Sequence, residues 1–372
     1  MASRIMVIGG YGHVGKQICT HLSKMYPGQV FAAGRNRQKA EQFSLKMKGA
    51  VQPFQIDVMR PKHWDWLKET RLVIMCLDQE ETTFAERCLR AGVDYIDISA
   101  KGTYLKKLAS IKREAVKATA ILSVGLAPGM TNLLAAKAAS ALDKVEEIDI
   151  SVMLGIGDQH GRAAVEWTID HLHYAYTLVE NHQSKKVDSL TGGKRVNFGG
   201  SLGSRRVYRF PFSDQQTLPT TLQVPTVTTR LCLDSRASTF LLVWARRLGL
   251  TKLFDIPFIY EKAISSIQSS RMGTDQYALK IDAVGWKGQQ QSKIELGLVG
   301  RDESQATANI AAAVAAHLYS KRFSKGIYHI EQAFELGQTG ETLMLIEKET
   351  KRSQVIAGSV NMKLTKKSRL KG

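Results

Sequence analysis

Short apolar runs alternate with amphipathic, helix-like stretches over the first 125 residues of the chain. The runs are RIMVIG, QVFAAG, VQPFQID, RLVIMCL, VDYIDIS and TAILSVG, with helical patterns between them near 14–25, 37–47, KHWDWLKE, 80–91 and 103–117. Several runs are almost wholly apolar, which is typical of strands covered on both faces. The pattern predicts an α/β domain of the doubly wound Rossmann type, built on a parallel sheet.

A glycine-rich turn joins the first strand to the first helix in IMVIGGYGHVGKQI. Gly10 permits the tight turn, Gly12 lets a pyrophosphate approach the backbone, and Gly15 lets the helix pack closely on the strand. The N-terminus of the helix offers N–H groups to the phosphates. The stretch predicts a dinucleotide site with seven contributing residues: Gly9, Gly10, Tyr11, Gly12, His13, Val14 and Gly15.

The spacing of Gly9, Gly12 and Gly15 also fits the turn of short-chain dehydrogenases. Those enzymes usually need a Tyr-x-x-x-Lys pair, and none of the eleven tyrosines here has lysine four positions later. That chemistry is therefore not expected. Non-catalytic relatives of the short-chain type stay open as an alternative.

The second predicted strand ends in AAGRNRQKAE, where NAD-specific domains usually carry an acidic residue. Arg35 instead offers a guanidinium that can hold a 2′-phosphate, and Asn36 lies beside it. These residues favour NADP (as NADPH) over NAD, the alternative being an Arg35 that faces solvent at a helix start. Asp57, at the end of the third strand, is predicted to meet the adenine side or else to cap a helix.

The chain beyond the sixth strand predicts a second domain of α+β type. Pro128 and Gly129 interrupt GLAPGMTNLLAAKAASAL, and Thr131 or Asn132 can cap the Ala-rich helix that follows. EEIDISVMLGIG predicts a strand, while YALKIDAVGWKG and SKIELGLVG predict two strands of an antiparallel sheet. The small, apolar residues of ATANIAAAVAAHLYS predict a buried helix.

The stretch DQHGRAAVEWTIDHLHYAYTLVENH predicts a loop and one amphipathic helix. Its apolar stripe is Val165, Ile169, Leu172, Tyr176 and Val179.

Two residues of the same stretch are candidates for proton transfer, and two arginines further on are candidates for substrate binding. His160 precedes the helix and Glu166 lies on another of its faces; an ordinary hydrogen-bonded histidine is the alternative. Alternation in GSRRVYRFPF places Arg205 and Arg209 on one strand face, where paired guanidiniums suit a carboxylate. A solvated sheet face is the alternative for these arginines.

These elements divide the chain into four predicted parts. Residues 1–127 form the Rossmann domain, and 128–301 form a substrate and dimerisation domain on a mixed or antiparallel sheet. Residues 302–346 form a helix and a segment that returns to the first domain, and 347–372 form a basic tail.

Composition narrows the functional classes. No run approaches the roughly 18 apolar residues of a membrane helix, no signal peptide is recognisable, and four separated cysteines lack metal-site spacing. We therefore expect a cytoplasmic protein with no metal and no membrane partner. The net charge of +18 is scattered apart from KLTKKSRLKG and comes without a nucleic-acid-binding motif, so no nucleic-acid partner is expected, although this class stays open.

Several motifs together resemble the saccharopine dehydrogenase family, including saccharopine reductases and lysine 6-dehydrogenases. They are VIGGYGHVG, AAGRN, AGVDYIDIS and GLAPGMTNLLA, with looser similarity in HGRAAVEWTID, YRFPFSDQ and GIYHIEQ. The resemblance implies a Rossmann domain with an inserted mixed-sheet domain, and a homodimer. It places the nicotinamide near Leu77, Asp78, Ser99 and the turn 128–132, and Gly129, Thr131, Asn132, Arg205 and Arg209 at the substrate.

The function implied by this resemblance is NAD(P)-linked oxidation or reduction at a carbon that bears an amine, in an amino-acid or keto-acid substrate, and Arg35 favours NADP as the cofactor. Such chemistry asks the protein for orientation, a proton donor and cations that bind carboxylate. The alternative is a redox-sensing or regulatory protein that binds NADP without turnover.

Overall fold

The computed structural model divides the chain into two compact units. It describes residues 3–61, 63–158, 160–269, 273–321, 323–339, 342–349 and 353–355. The first unit comprises the residues up to Met130, Ser304–Gly337 and the described residues from Leu343 onward. The second comprises Thr131–Glu303 and Gln338–Thr342. Most of the predicted basic tail, from residue 356, lies outside the described residues.

The first unit contains a seven-stranded sheet. Its N-terminal elements are β1 (Arg4–Ile8), α1 (His13–Met25), β2 (Val30–Gly34), α2 (Arg37–Lys46), β3 (Val51–Gln55), β4 (Thr70–Met75), α3 (Thr83–Arg90), β5 (Asp94–Asp97), α4 (Gly102–Ala109) and β6 (Thr119–Leu122). With a late strand, β15 (Gly326–His329), at one edge, the order is β15-β6-β5-β4-β1-β2-β3. The pairs are parallel, and Ile5 to Ile8 of the central β1 are fully buried. The predicted Rossmann architecture is confirmed.

The sheet changes direction at β1, since β2 and β4 lie on either side of it. In α/β sheets, ligands bind outside the carboxyl ends of the strands at this point. The glycine turn follows directly on β1, so the topology places it at the nucleotide-binding edge of the sheet.

Two predicted helices of this unit are shorter than expected. The pattern at 103–117 becomes α4 and a separate 3₁₀ turn, Arg113–Ala115, and KHWDWLKE forms a 3₁₀ helix over Asp65–Glu69. In the first case Ser110 ends α4, because its hydroxyl donates to the carbonyl of Lys107 instead of extending the helix.

A late part of the chain completes the first unit. It contains α10 (Glu303–Ser320), β15 (Gly326–His329), α11 (Ile330–Ala333), β16 (Phe334–Thr339), β17 (Thr342–Glu347) and β18 (Ser353–Val355). Strand β15 pairs in parallel with β6 and supplies the seventh strand. The predicted helix in ATANIAAAVAAHLYS is α10, and Ala311 to Leu318 are all buried. Strands β16, β17 and β18 form a separate small sheet.

The second unit is built on an eight-stranded mixed sheet, which confirms the predicted second domain class. Its helices and strands are α5 (Thr131–Ala139), β7 (Lys144–Leu154), α6 (Arg162–Asp170), β8 (Ala175–Glu180), β9 (Gln183–Asp188), β10 (Lys194–Asn197), β11 (Ser204–Arg209), α7 (Asp214–Thr221), β12 (Thr226–Leu233), α8 (Arg236–Arg247), α9 (Pro257–Ser269), β13 (Gln276–Lys287) and β14 (Gln290–Arg301). The order is β10-β11-β12-β7-β13-β14, with β8 on β12 and β9 on β8. Only β7 and β12 pair in parallel among these described strands.

The prediction of one continuous helix after His160 is wrong in its second half. Helix α6 ends at Asp170, and Tyr176 and Val179 lie on β8. The hairpin with β9 explains this, because Asn181 and His182 both adopt positive φ angles in its turn. The stripe residues up to Tyr176 are nevertheless buried, since they reach the core from a helix and then from a strand.

No helix in the described part of the chain is long and apolar enough to cross a membrane.

Candidate functional site

The glycine turn is closed so tightly that side chains cannot enter it. A Cβ on Gly15 would lie 2.2 Å from the carbonyl oxygen of Gly9, and a Cβ on Gly10 would lie 2.7 Å from the Cα of Ala32. Gly9 has φ +79°, and a Cβ on Gly12 would lie 2.9 Å from the same carbonyl oxygen. The chain therefore needs glycine at these positions to bring β1 and α1 together.

The N-terminus of α1 is open to an anion. Gly12 caps the helix with extended backbone, no side chain accepts a hydrogen bond from its first turn, and that turn carries no acidic residue. His13 and Val14 begin the helix and are partly exposed. Free N–H groups and the helix dipole favour a phosphate at such an end. The residues present fit the pyrophosphate of a dinucleotide.

Tyr11 connects the glycine turn to the end of β2. Its hydroxyl oxygen accepts a hydrogen bond from the backbone N–H of Asn36 at 2.8 Å, and its ring covers Gly34, where a Cβ would lie 2.4 Å from the hydroxyl. The glycine turn and the end of β2, which contains the predicted nucleotide residues Arg35 and Asn36, are thus held together. Tyr11 is itself partly buried by this contact.

The end of β2 carries a cation that the rest of the described chain leaves unpaired. Asn36 caps α2 by accepting a hydrogen bond from Lys39 N at 2.9 Å, and Arg37 pairs with Glu41 at 2.7 Å. The side chain of Arg35 is exposed and has no ion pair among the described residues. Arg35 is therefore the guanidinium at this strand end that stays available to a ligand.

The carboxylate of Asp57 accepts a hydrogen bond from the nearby backbone. Its Oδ1 accepts a hydrogen bond from Met59 N at 3.0 Å, so it closes a turn after β3 and does not cap a regular helix. Its contact with an adenine stays a prediction.

The ends of β4 and β5 bring the three expected nicotinamide neighbours into one region. Leu77 lies against the glycine turn, because a Cβ on Gly9 would come within 3.0 Å of it. Ser99 Oγ donates to Asp78 Oδ1 at 3.0 Å, which joins the two strand ends. Contact of Leu77, Asp78 and Ser99 with a nicotinamide stays a prediction.

Asp97 is a functional candidate that the sequence interpretation missed. It is fully buried at the end of β5, and it accepts hydrogen bonds from Ser99 N at 2.8 Å and from the Tyr95 hydroxyl at 3.0 Å. Burial outweighs these hydrogen bonds and raises the pKa of Asp97 to about 7. The signal in the sequence is an acidic residue inside the apolar run VDYIDIS. Asp97 fixes Ser99, and Ser99 in turn holds Asp78.

The turn after β6 is buried rather than open. Gly129 has φ +135°, and a Cβ there would lie 3.0 Å from the carbonyl oxygen of Ser123. Thr131 and Asn132, the first residues of α5, are completely buried, and Thr131 Oγ1 has no hydrogen-bond partner among the described residues. Substrate binding by these three residues stays a prediction.

The two predicted arginine anchors occupy β11 in the second unit. Arg205 and Arg209 flank the buried Val207 on one face of the strand, as the alternation predicted. The Nε atoms of both arginines are buried and have no hydrogen-bond partner among the described residues. The guanidinium of Arg209 lies over Gly192, where a Cβ would come within 3.1 Å. Unfilled N–H donors of this kind suit a carboxylate.

His160 forms a cross-link within the second unit. Its Nδ1 lies 2.6 Å from Glu303 Oε1, and its Nε2 lies 2.9 Å from the carbonyl oxygen of Gly155. With Asp158, whose carboxylate accepts from Glu303 N, these residues have metal-ligand spacing, all three ligand atoms lying within 4.8 Å. However, an oxygen acceptor faces each ring nitrogen, so the imidazolium satisfies the cluster without a metal. This geometry favours the alternative of an ordinary hydrogen-bonded histidine.

Glu166 does not join this cluster. It accepts a hydrogen bond from Arg162 Nε at 2.7 Å, one helical turn away, and Arg162 also binds Glu261. The structure therefore does not bring the two predicted proton-transfer residues into contact.

The His160 cluster predicts a pH-dependent stability. Burial alone would lower the pKa of His160, but the hydrogen bond and charge of Glu303 outweigh it and raise the pKa to about 9. Because the folded pKa exceeds the unfolded value of about 6.5, the stabilisation is complete below pH ~6.5 and is lost as the pH rises through ~9. Thermal unfolding of the wild type and His160→Gln should therefore differ most near pH 6 and converge above pH ~9.

His63→Gln, at an exposed histidine of the first unit, is the matched control. Its melting temperature should follow the wild type at every pH. A constant gap between the wild type and His160→Gln across this range would contradict the prediction.

Comparison with known families supports the nucleotide site. Residues 5–143 match the family model described as the saccharopine dehydrogenase NADP binding domain. The resemblance carried by the motifs is thereby confirmed for this part of the chain. No curated protein sequence matches the chain significantly.

Three solved structures resemble the chain to different degrees. Apo saccharopine dehydrogenase (L-Glu forming) from Saccharomyces cerevisiae has a TM-score of 0.61 and 13% identity, covering 88% of this chain and 94% of that chain. C. glutamicum DAP dehydrogenase in complex with DAP has a TM-score of 0.41 and 13% identity, covering 89% and 94%. A probable dehydrogenase from Thermotoga maritima has a TM-score of 0.42 and 11% identity, covering 85% and 89%. The first of these similarities shows a shared fold.

Proposed function

We propose that this chain, with its saccharopine dehydrogenase NADP binding domain, is an NADP(H)-dependent oxidoreductase that acts on the CH–NH group of an amino-acid-like substrate. The observation that carries the proposal is the nucleotide cradle: a glycine turn without room for side chains, an uncapped helix N-terminus, and a free guanidinium at the end of β2. The glycine turn and the helix N-terminus would bind the pyrophosphate of the cofactor, and the guanidinium would bind its 2′-phosphate.

The end of β2 supports NADP over NAD. No acidic residue lies between Gly34 and Ala40, and Glu41 is engaged by Arg37. The ribose hydroxyls of NAD would therefore have no carboxylate to bind at this strand end. The 2′-phosphate of NADP could instead pair with Arg35, which has no acidic partner among the described residues.

Arg205 and Arg209 are the proposed anchors for the substrate carboxylate. The Nε donors of both arginines are buried and have no hydrogen-bond partner among the described residues. A buried donor without an acceptor destabilises the protein, so a bound carboxylate that accepts these hydrogen bonds would remove that cost. A carboxylate bound by paired guanidiniums is fixed in position and in rotation.

The residues of this chain then act by positioning. When bound, the cofactor supplies the hydride for reduction of an imine as NADPH, and as NADP⁺ it takes up the hydride in the reverse direction. The glycine turn and α1 would hold the pyrophosphate, and Leu77 would pack against the nicotinamide side of the turn. Asp97, through Ser99, would hold Asp78 at the strand ends. A homodimer and a cytoplasmic location, both expected from the sequence, belong to the same proposal.

Arg35→Ala tests the cofactor preference. We expect NADPH to bind about 10- to 100-fold more weakly, because a charge-assisted hydrogen bond contributes about 1.5–3 kcal/mol. NADH affinity should stay within about twofold, since NADH lacks the 2′-phosphate. Isothermal titration with both nucleotides measures the two effects.

Arg37→Ala is the control for this experiment, because it removes a neighbouring arginine that is already paired with Glu41. Its NADPH affinity should change much less than that of Arg35→Ala. Equal losses in both variants would assign the effect to general positive charge and contradict the role of Arg35.

The reaction class is tested by turnover. Oxidation of NADPH is followed at 340 nm with pairs of amino acids and α-keto acids or aldehydes, and the reverse reaction with NADP⁺ and secondary amines of the amino-acid type. Arg209→Gln should raise KM for the carboxylate substrate more than it lowers kcat. Tight NADPH binding without turnover in either direction would favour the alternative of a regulatory NADP-binding protein.

A further inference from the structure

An apolar surface in the second unit faces solvent, outside the nucleotide and arginine sites. Six large side chains are 45 to 71% exposed: Phe240, Leu241, Trp244, Leu248, Leu253 and Phe258. We call these six the apolar face. Single exposed apolar residues are ordinary, whereas a contiguous set marks a surface that meets another body.

The apolar face is built by helix geometry. Phe240 and Trp244 on the outer side of α8 and Leu248, which caps the end of that helix, follow one another at intervals of four residues. The rings of Phe240 and Trp244 lie 5.8 Å apart. The inner side of α8 buries Thr239 and Val243. A 3₁₀ helix, Leu250–Asp255, packs against both α8 and α9 and continues the surface.

Cations are enriched in the segment of the chain that contains the apolar face. Residues 236–262 contain five Lys or Arg and two acidic residues. Arg247 and Lys252 are exposed and have no ion pair among the described residues, and Lys262 lies 5.7 Å from the ring centre of Phe258. Of the two acidic residues, Glu261 is engaged by Arg162.

We propose that the apolar face docks onto the surface of an anionic lipid bilayer. Phenylalanine, tryptophan and leucine side chains enter the boundary between headgroups and acyl chains, while flanking Lys and Arg bind anionic headgroups. Helix α8 has 12 residues and is thus about 18 Å long, too short for the roughly 30 Å hydrocarbon core, so it lies in the plane of the surface.

Charge complementarity favours a bilayer as the occupant of the apolar face. Arg247 and Lys252 are exposed and have no ion pair among the described residues, so they can bind anionic headgroups without giving up an acidic partner. The whole chain carries +18, which favours its approach to an anionic surface. The expectation of no membrane partner rested on the absence of a spanning run, and surface docking needs no such run.

Vesicle co-sedimentation of the full chain tests the proposal. We expect binding to vesicles of equal parts phosphatidylglycerol and phosphatidylcholine, at least tenfold weaker binding to phosphatidylcholine alone, and a decrease as salt is raised. The double variant Phe240→Glu with Trp244→Glu should lose at least tenfold in partitioning. Arg247→Glu with Lys252→Glu should lose the preference for phosphatidylglycerol.

Leu45→Glu is the matched control, since Leu45 is 78% exposed but lies on α2 in the first unit. It should bind vesicles like the wild type. A conservative variant gives a second readout that does not depend on charge: lipids with brominated acyl chains should quench wild-type tryptophan fluorescence, and Trp244→Phe should bind equally but lose that quenching.

Two results would overturn the proposal. One is wild-type protein that stays in the supernatant with both kinds of vesicle. The other is a wild-type dimer in analytical ultracentrifugation that Trp244→Glu dissociates, without vesicle binding by either protein, because that would assign the apolar face to a second copy of this chain.

Discussion

Replacing Gly15 by alanine is expected to lower the affinity for NADPH by at least about 100-fold, equivalent to about 2.8 kcal/mol. The new Cβ would lie 2.2 Å from the carbonyl oxygen of Gly9 and 2.8 Å from the Cα of Gly10. Both neighbours are backbone atoms, so no side-chain rotation relieves the contact. Helix α1 must move away from β1, and its N–H groups then no longer point at the pyrophosphate.

Isothermal titration with NADPH measures this loss, and thermal unfolding measures the accompanying loss of stability, expected at about 1–3 kcal/mol for overpacking. Gly28→Asn is the control in the same unit. Gly28 has φ +75°, which asparagine tolerates better than most residues, and nothing lies within 4 Å of its added Cβ. NADPH binding by Gly15→Ala at wild-type strength would contradict the close packing of α1 on the turn.

The N-terminal fold was predictable because its strands are buried on both sides. Such strands appear in the sequence as short apolar runs, and glycines at fixed spacing mark the turn after the first of them. The matched strands β1 to β6 follow this pattern directly. Strand β15, in contrast, contains only Gly326–His329 and exists through its pairing with β6, some 200 residues earlier in the chain. No local pattern specifies that pairing.

The stretch after Asp170 shows where periodicity is ambiguous. Leu172, Tyr176 and Val179 continue the helical spacing of Val165 and Ile169, yet the chain becomes a strand. Apolar residues at such intervals do not by themselves distinguish a helix from a strand, because a strand can also contain apolar residues on its less buried face. The hairpin between β8 and β9 and the pairing of β8 with β12 decide the outcome, and the second of these joins parts of the chain that are far apart in the sequence.

The residues of the candidate site also fall into two groups: those that the local sequence predicts and those whose surroundings depend on distant parts of the chain. The residues of the glycine turn and Arg35 follow from sequence, because backbone geometry and charge at a strand end are local properties. The surroundings of His160 do not, since its partner Glu303 is 143 residues away. Asp97 had a local signal, an acidic residue in an apolar run, but the raised pKa depends on burial, which only the folded sheet provides. Residues 236–269 received no sequence-based assignment, and there the exposed side of α8 became visible only in the structure.

Asp94→Ala is expected to destabilise the first unit by about 3–5 kcal/mol, the usual cost of leaving one member of a buried ion pair alone. Asp94 is 4% exposed, accepts a hydrogen bond from Thr119 N at 2.9 Å, and pairs with Arg71. Arg71 also donates to the carbonyl oxygen of Leu318 at 2.7 Å, near the end of α10. This one carboxylate therefore supports β4, β5, β6 and the late helix together.

Urea denaturation of the full chain, followed by circular dichroism, measures the loss, and nucleotide titration reports whether the first unit is affected. Asp65→Ala is the control, because Asp65 pairs with Lys68 on the surface of the same unit, where such pairs contribute about 0–1 kcal/mol. The double variant Arg71→Met with Asp94→Asn removes the unpaired charge and keeps an acceptor for Thr119 N, so it should be more stable than Asp94→Ala. Should Asp94→Ala and Asp65→Ala lose the same small amount, the pair with Arg71 would not hold the late helix to the sheet. The seventh strand would then depend on apolar packing of α10 and on the backbone pairing of β15 with β6.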